Sequence, residues 1–127
     1  MLKATGARLF LTVRDLAKGH KALGDILESG RVDLLLLDLN SMESVRKCAA
    51  EFLEASGNRL NVLITNAGIM AKPEEKTADG FESQFGTNHL AHFLLFQLLK
   101  PALLRSSTPA FQIRVVSLSS MGHRSYL

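Results

Sequence analysis

The sequence predicts an α/β domain in which helices cover both faces of a parallel sheet. Three observations support this. Four short apolar runs alternate with three longer amphipathic segments, in the order strand, helix, strand, helix, strand, helix, strand. The runs are apolar almost continuously, as strands are when both of their faces are buried. Each run also ends in small or polar residues: Val13-Arg14-Asp15, Asp38-Leu39-Asn40, Asn66-Ala67-Gly68 and Ser117-Leu118-Ser119-Ser120. In open parallel sheets such ends share one edge, and ligands bind there.

The elements follow in order. Residues 7–13, "ARLFLTV", read as a strand entered from Gly6. Asp15 suits the N-cap of a helix running to about Glu28, which Gly19 and Gly24 weaken. Ser29-Gly30 ends that helix, and residues 32–38, "VDLLLLD", form the second strand. Asn40 with Glu43 three residues on has the spacing of a capping box. It opens a helix from Met42 to Ala55 with Val45, Ala49, Phe52 and Leu53 on one face, closed by Gly57. Residues 60–65 form the third strand, followed by a loop containing Pro73. Thr77 is the expected N-cap of a long helix over residues 78–99, with Pro101 marking its end. After the linker Ser106-Ser107-Thr108-Pro109, residues 113–118, "IRVVSL", form the fourth strand.

Composition narrows the function classes. The chain of 127 residues fits one domain, and 46% hydrophobic with 21% charged residues is ordinary for a globular protein. The net charge of +3 comes from scattered Lys and Arg, with no like-charged block, so the sequence does not point to nucleic-acid binding. The single cysteine, Cys48, excludes an intrachain disulfide and suits a reducing compartment; it reads as a small buried hydrophobe. The expected location is cytoplasmic, because there is no secretory pattern at the start and the apolar stretch over residues 90–99 is shorter than the roughly 20 residues that span a bilayer.

Any single strand end could be plain structure: Asp15 and Asn40 as caps, Gly68 as a turn, the serines as solvated loop. Asn88 would share a helical face with Phe81, Phe85, His92 and Leu95, where a buried amide must find partners. His89 and His92 are three residues apart without an evident third ligand, so no metal site is expected.

Taken in order, "DL" at Asp38-Leu39, "TNAG" at Thr65 to Gly68, "GFESQFGTNHLAHFLL" at Gly80 to Leu95 and "RVVSLSS" at Arg114 to Ser120 resemble the short-chain dehydrogenase/reductase family, in particular its retinol-dehydrogenase-like and fungal members. The resemblance implies a partial Rossmann-like doubly wound parallel sheet filling residues 1–127 as a single partial dinucleotide-binding domain. It implies that Asn66, Ala67 and Gly68 line the cofactor's adenosine side, and that Asp38 accepts from the adenine amino group with the Leu39 backbone nearby. It implies that Asn88 orders a water in a proton relay. Ser120, or Ser119 if the register shifts by one, would bond the substrate oxygen. NAD-preferring relatives carry a carboxylate where this chain has Val13. Arg14 follows instead, and a fixed cation suits a 2′-phosphate, so the expected cofactor is NADP, with NAD less favoured.

Two departures from the family pattern stand out. The glycine-rich TGxxxGxG turn is missing; Thr5-Gly6 lacks the further glycines, and residues 1–6 read as the tail of the helix that follows such a turn. The YxxxK pair is missing as well, because Tyr126, the only tyrosine, lies six residues after Ser120 with no lysine beyond it. The fold therefore lacks the family's first βα unit and the region after its fifth strand. Since the family's first strand is central, the two halves of this sheet must pair directly, accept another chain, or leave the domain unstable. The resemblance implies hydride transfer between a nicotinamide and a small-molecule carbonyl/alcohol pair, with this chain inactive as it stands. The competing reading is a non-catalytic fragment that binds a partner or dimerises through the helix over residues 78–99.

Overall fold

The computed structural model describes residues 2–70 and 73–121. Tyr126 lies outside the described residues. In chain order the elements are β1 (Leu9–Val13), α1 (Leu16–Leu23), β2 (Val32–Leu36), α2 (Met42–Ala55), β3 (Val62–Thr65), α3 (Ser83–Phe85), α4 (Ala91–Ser106) and β4 (Arg114–Ser117). Residues 2–5 form one 3-10 turn rather than the tail of an α-helix.

β1 pairs with β2 in parallel, Leu9 opposite Val32 and Val13 opposite Leu36. β3 pairs with β4 in parallel, Val62 opposite Arg114 and Thr65 opposite Ser117. Among the described residues the two pairs are separate sheets, with no ladder between the halves. Helices join them instead. α2 packs on β2 and along α4, and α4 packs on β3. Leu37 and Leu39 after β2, Val45, Cys48, Ala49 and Phe52 of α2, Leu63 of β3, and Ala91, Leu95, Leu99 and Leu103 of α4 form one core.

Side-chain direction fixes which helix covers which face. A Cβ on Gly19 of α1 would lie 2.9 Å from Val13 Cγ2 and 3.2 Å from Leu34 Cδ1, so α1 lies hard against the face carrying those two side chains. That close approach explains a glycine that weakens the helix by propensity. The opposite face carries Phe10 and Leu35, which pack onto the core, and the Phe10 ring meets Phe52 of α2 edge to face at 4.9 Å. Arg8 adds a hydrogen bond of 2.9 Å to the Ala55 carbonyl at the end of α2, where a cation suits the helix dipole.

Several boundaries differ from expectation, each for a local reason. α1 stops at Leu23, and residues 24–26 continue as a 3-10 turn. α2 is capped by Ser41, whose hydroxyl accepts from the Ser44 N–H; Glu43 does not close a capping box but pairs with Lys47 at 2.6 Å. Thr77 does not start the long helix. Its hydroxyl accepts from the Phe81 N–H at 3.1 Å and closes a turn, while Glu82 caps the helix by accepting from Gln84 and Phe85 at 2.8 and 2.7 Å. The helix runs through Pro101 to Ser106, because Pro101 faces solvent and water can satisfy the carbonyl left without its N–H partner. β4 is exposed at every residue, contrary to the expectation of strands covered on both faces. Among the described residues α4 covers only one face of the β3–β4 pair.

Two measurable consequences follow. The N–H groups of Gln84 and Phe85 hold the Glu82 carboxyl below its ordinary value of 4.5. The cap therefore contributes fully above pH 4.5 and is lost as the pH falls below that through the lowered pKa. Measured relative to intrinsic exchange at each pH, protection of the Gln84 and Phe85 amides should fall over that acidic range, and Glu82→Ala should remove this loss of protection. Cys48 is 2% exposed. Burial, with a smaller contribution from Glu51, pushes its thiol up to about 11. It should stay unreactive toward a disulfide reagent at pH 8 until denaturant unfolds the chain.

Candidate functional site

The carboxyl ends of the strands meet pairwise. Leu37 donates to the Val13 carbonyl at 2.9 Å, which sets Arg14 beside Asp38, and Leu118 donates to the Thr65 carbonyl at 3.1 Å, which sets Asn66 beside the serines. The turn after β3 reaches the other pair: Ala78 N–H bonds the Asn40 carbonyl at 3.0 Å, and the Asp79 carboxylate accepts from Met42 N–H at 2.7 Å. Residues 77–79 and 40–42 thus share one rim.

At the first pair, Arg14 is exposed, and it has no acidic or hydrogen-bonding partner among the described residues. Asp15 is occupied elsewhere, capping α1 through the Lys18 N–H at 3.0 Å and pairing with the Lys18 ammonium at 3.8 Å. Asp38 spends one carboxylate oxygen on the Asn40 N–H at 2.9 Å, while its own N–H bonds the Ser44 hydroxyl. Leu39 is buried, so only its backbone can face a ligand.

At the second pair, Asn66, Ala67 and Gly68 are exposed, and α4 with the turn before it holds them from behind. Asn88 accepts from the Ile69 N–H at 2.8 Å and donates to the Ile69 carbonyl at 2.8 Å. One turn on, His92 Nε2 lies 2.8 Å from the Ala67 carbonyl. A carbonyl only accepts, so Nε2 carries the proton. A Cβ on Gly68 would sit 3.1 Å from Asn88 Oδ1, so glycine leaves room for this clamp. Residues 86–90 form a π-helical turn, a widened segment that often marks functional sites.

These contacts correct two sequence expectations. Asn88 is exposed rather than buried on a face with Phe81 and Phe85, both of which are exposed too. Its carboxamide meets backbone, which leaves one amide hydrogen and one oxygen lone pair for a further partner. His92, to which the sequence assigned no contact, is part of the clamp; the signal available was its spacing of four from Asn88. His89 stacks between Phe85 at 5.2 Å and Phe93 at 6.4 Å. Ser119 and Ser120 lie exposed just beyond β4. The sequence-predicted residues therefore fall into two groups, Arg14–Asp38–Leu39 and Asn66–Ala67–Gly68–Asn88, with the serines beside the second.

A concavity of about 500 Å³, lined by Gly57, Asn58, Arg59, Asn61, Arg105, Ser106 and Thr108, lies at the opposite, amino-terminal end of β3. Its lining holds none of the strand-end residues, and the polar convergence described above is the better guide to chemistry than this open hollow.

Comparison with known proteins agrees with the geometry. Residues 1–125 match the family described as short chain dehydrogenase. The short-chain dehydrogenase/reductase prx1 of Penicillium roqueforti is 62% identical over 122 residues, covering 96% of this chain and 36% of that protein. Mouse (Mus musculus) retinol dehydrogenase 12 is 45% identical over 125 residues, covering 96% of this chain and 38% of that protein. Among solved structures, the Pseudomonas aeruginosa RhlG/NADP active-site complex superposes with a TM-score of 0.70 at 30% identity, covering 87% of this chain and 43% of that one. The chain thus spans little more than a third of the curated relatives' length, and its split sheet is a partial Rossmann-like, doubly wound parallel sheet without the first βα unit. By sequence and by fold, this chain belongs to the short-chain dehydrogenase/reductase family of oxidoreductases.

Proposed function

We propose that the chain is the adenosine-side portion of an NADP-dependent oxidoreductase acting on a small carbonyl/alcohol pair, and that it does not turn over alone. The observation carrying this reading is Arg14: an exposed cation at the end of β1, not neutralised by Asp15, one strand away from Asp38. A 2′-phosphate offers such a guanidinium a charge-assisted pair, which NAD cannot. Asp38 would accept from the adenine amino group, the Leu39 backbone would lie beside the ring, and the low bulk at Asn66-Ala67-Gly68 would admit the cofactor to the backbone. Bound there, the nicotinamide would supply hydride transfer. Asn88 would hold a relay water with its remaining hydrogen-bonding capacity, and Ser120 would bond the substrate oxygen; neither is a nucleophile. A cytoplasmic location belongs to this proposal, since a lone buried thiol suits a reducing compartment.

The sequence contains neither TGxxxGxG to seat a pyrophosphate nor YxxxK to move the proton. The direct test is the transcript on either side of this coding stretch. Both motifs in frame would make the chain part of a working enzyme; in-frame stop codons at both places would count against it. A second reading, dimerisation through the helical segment around α4, is favoured by the exposed stack of Phe85, His89 and Phe93, the last 53% exposed. Size-exclusion chromatography tests it: a stable monomer at high micromolar concentration contradicts it.

A further inference from the structure

Arg59 and Arg105 carry charge that no contact within the fold uses. Arg105 sits in the last turn of α4 and Arg59 just beyond the end of α2, and both line the concavity at the amino-terminal end of β3. Both are exposed, and neither has an ion pair, a hydrogen bond or a ring partner among the described residues. The plain role for a cation at these places is to cap a helix, because leftover carbonyls at a carboxyl end attract positive charge. Other groups fill that role. At the end of α2 the carbonyls of Phe52, Leu53 and Glu54 accept from the N–H groups of Ser56, Asn58 and Gly57 at 2.8, 2.8 and 3.2 Å. Arg8 donates to the Ala55 carbonyl at 2.9 Å. At the end of α4 the Ala102 carbonyl accepts from the Ser106 hydroxyl at 2.8 Å, and the Leu104 carbonyl from Ser107 N–H at 3.4 Å. The neighbouring arginines are committed as well: Arg8 pairs with Asp33 at 3.4 Å, and Arg114 lies over the Phe111 ring at 5.5 Å.

The walls around the two guanidiniums are held by their own bonds. The Ser106 hydroxyl accepts from Leu60 N–H at 2.9 Å, and the Asn61 amide donates to the Ser106 carbonyl at 3.3 Å, which ties the end of α4 to the entry of β3. The Thr108 hydroxyl accepts from Phe111 N–H at 3.0 Å. Asn61 keeps one amide hydrogen to offer. The lining contains no acidic residue. Two full positive charges outweigh the roughly half-unit negative charge at each helix end, so the concavity is electropositive. Its volume of about 500 Å³ falls within the range of about 300–1,000 Å³ found for small-ligand sites.

We propose that this concavity binds a phosphate monoester as its dianion, with Arg59 and Arg105 as the charged contacts. A doubly charged anion neutralises both guanidiniums. Its three terminal oxygens suit two planar donor forks together with the remaining Asn61 hydrogen, whereas a carboxylate has only two oxygens to share among them. The site lies at the opposite end of β3 from Asn66 and uses none of the strand-end residues. It therefore holds whether or not the NADP reading does.

The test titrates the chain with inorganic phosphate and with phenyl phosphate at about pH 7.5, above the second phosphate pKa of about 6, and follows amide and arginine Nε–H shifts. The expected result is saturable shifts centred on Arg59, Asn61 and Arg105. Arg59→Gln and Arg105→Gln should each weaken binding by roughly three- to tenfold, between the effect of an exposed ion pair and that of a full charge-assisted hydrogen bond. The double variant should not bind. Phosphate affinity should fall as the pH drops through about 6, where the ligand takes up a proton, while sulfate affinity should not. Vesicles of phosphatidylcholine with and without phosphatidic acid identify the source of the ester. Cosedimentation that needs both phosphatidic acid and the two arginines places it on a lipid; saturable binding of phenyl phosphate without cosedimentation places it on a soluble molecule. Shifts confined to Arg14 and Asp38, or an affinity unchanged in the double variant, would overturn the proposal. Phosphate should also raise the thermal midpoint of the parent and not of the double variant, since a ligand of the folded state stabilises it. A parent chain that shows no folding transition even in saturating phosphate would overturn it as well.

Discussion

Leu103→Ala is expected to cost about 2–5 kcal/mol, lowering the urea midpoint by roughly 1–2 M. Leu103 is 1% exposed and sits in the helix layer that packs between the two sheets. Deleting its methyls removes apolar burial and leaves a cavity that the surrounding helices fill only in part. A domain stabilised by about 5–15 kcal/mol in all has little margin for such a loss, and among the described residues no continuous sheet holds the halves in register. The neighbouring Leu104→Ala, at a position 60% exposed, is the control and should shift stability by no more than about 0.5 kcal/mol. Equal shifts in the two variants would mean that the α2–α4 layer does not carry the fold.

Gly86→Ala sets two effects against each other. Alanine favours a helix over glycine by about 1 kcal/mol. Against that, a Cβ on Gly86 would run into Thr77 Cγ2 and come within 3.3 Å of Phe81 Cβ. Thr77 is buried, and its hydroxyl is fixed on the Phe81 N–H at 3.1 Å, so its methyl can turn away only by giving up that bond. Overpacking of this kind costs about 1–3 kcal/mol, so the collision outweighs the propensity gain and the variant should be less stable. The effect should also reach the site. Gly86 opens the π-helical turn that carries Asn88, so exchange at the Ile69 amide should rise in the variant. A variant more stable than the parent would show that Thr77 yields.

Much of this architecture can be read in the sequence, and the exceptions have physical causes. The four strands follow from short apolar runs, and α2 from its apolar face, because burial imposes periodicities that composition reveals. The start of the long helix is not legible, because Thr77 and Glu82 are both polar residues ahead of an apolar segment, and nothing local says that Thr77 spends its hydroxyl on a turn. The run of α4 through Pro101 depends on which side of the helix meets water, a tertiary fact. Arg14 and Asp38 were legible as strand-end residues. That Asp15 turns to Lys18, three residues on, and leaves the adjacent Arg14 unpaired among the described residues is not legible, since a cation stands on either side of Asp15 in the sequence. The clamp of Asn88 and His92 on Ile69 and Ala67 joins segments some twenty residues apart, and spacing alone does not choose backbone partners. The exposed face of β4 depends on what covers it, which local sequence does not encode.

The account stands most directly on whether the β1–β2 strand ends recognise a 2′-phosphorylated adenosine, a question that needs neither pyrophosphate turn nor catalysis. Titrating the folded chain with adenosine 2′,5′-bisphosphate and, separately, adenosine 5′-phosphate, followed by amide shifts, measures it. The predicted result is tighter binding of the 2′-phosphorylated ligand by roughly two- to fivefold, the effect of one solvent-screened ion pair. Shifts should centre on Arg14, Asp38 and Leu39, and Arg14→Ala should remove the preference. Equal affinity for the two ligands, or a preference unchanged in Arg14→Ala, would contradict it.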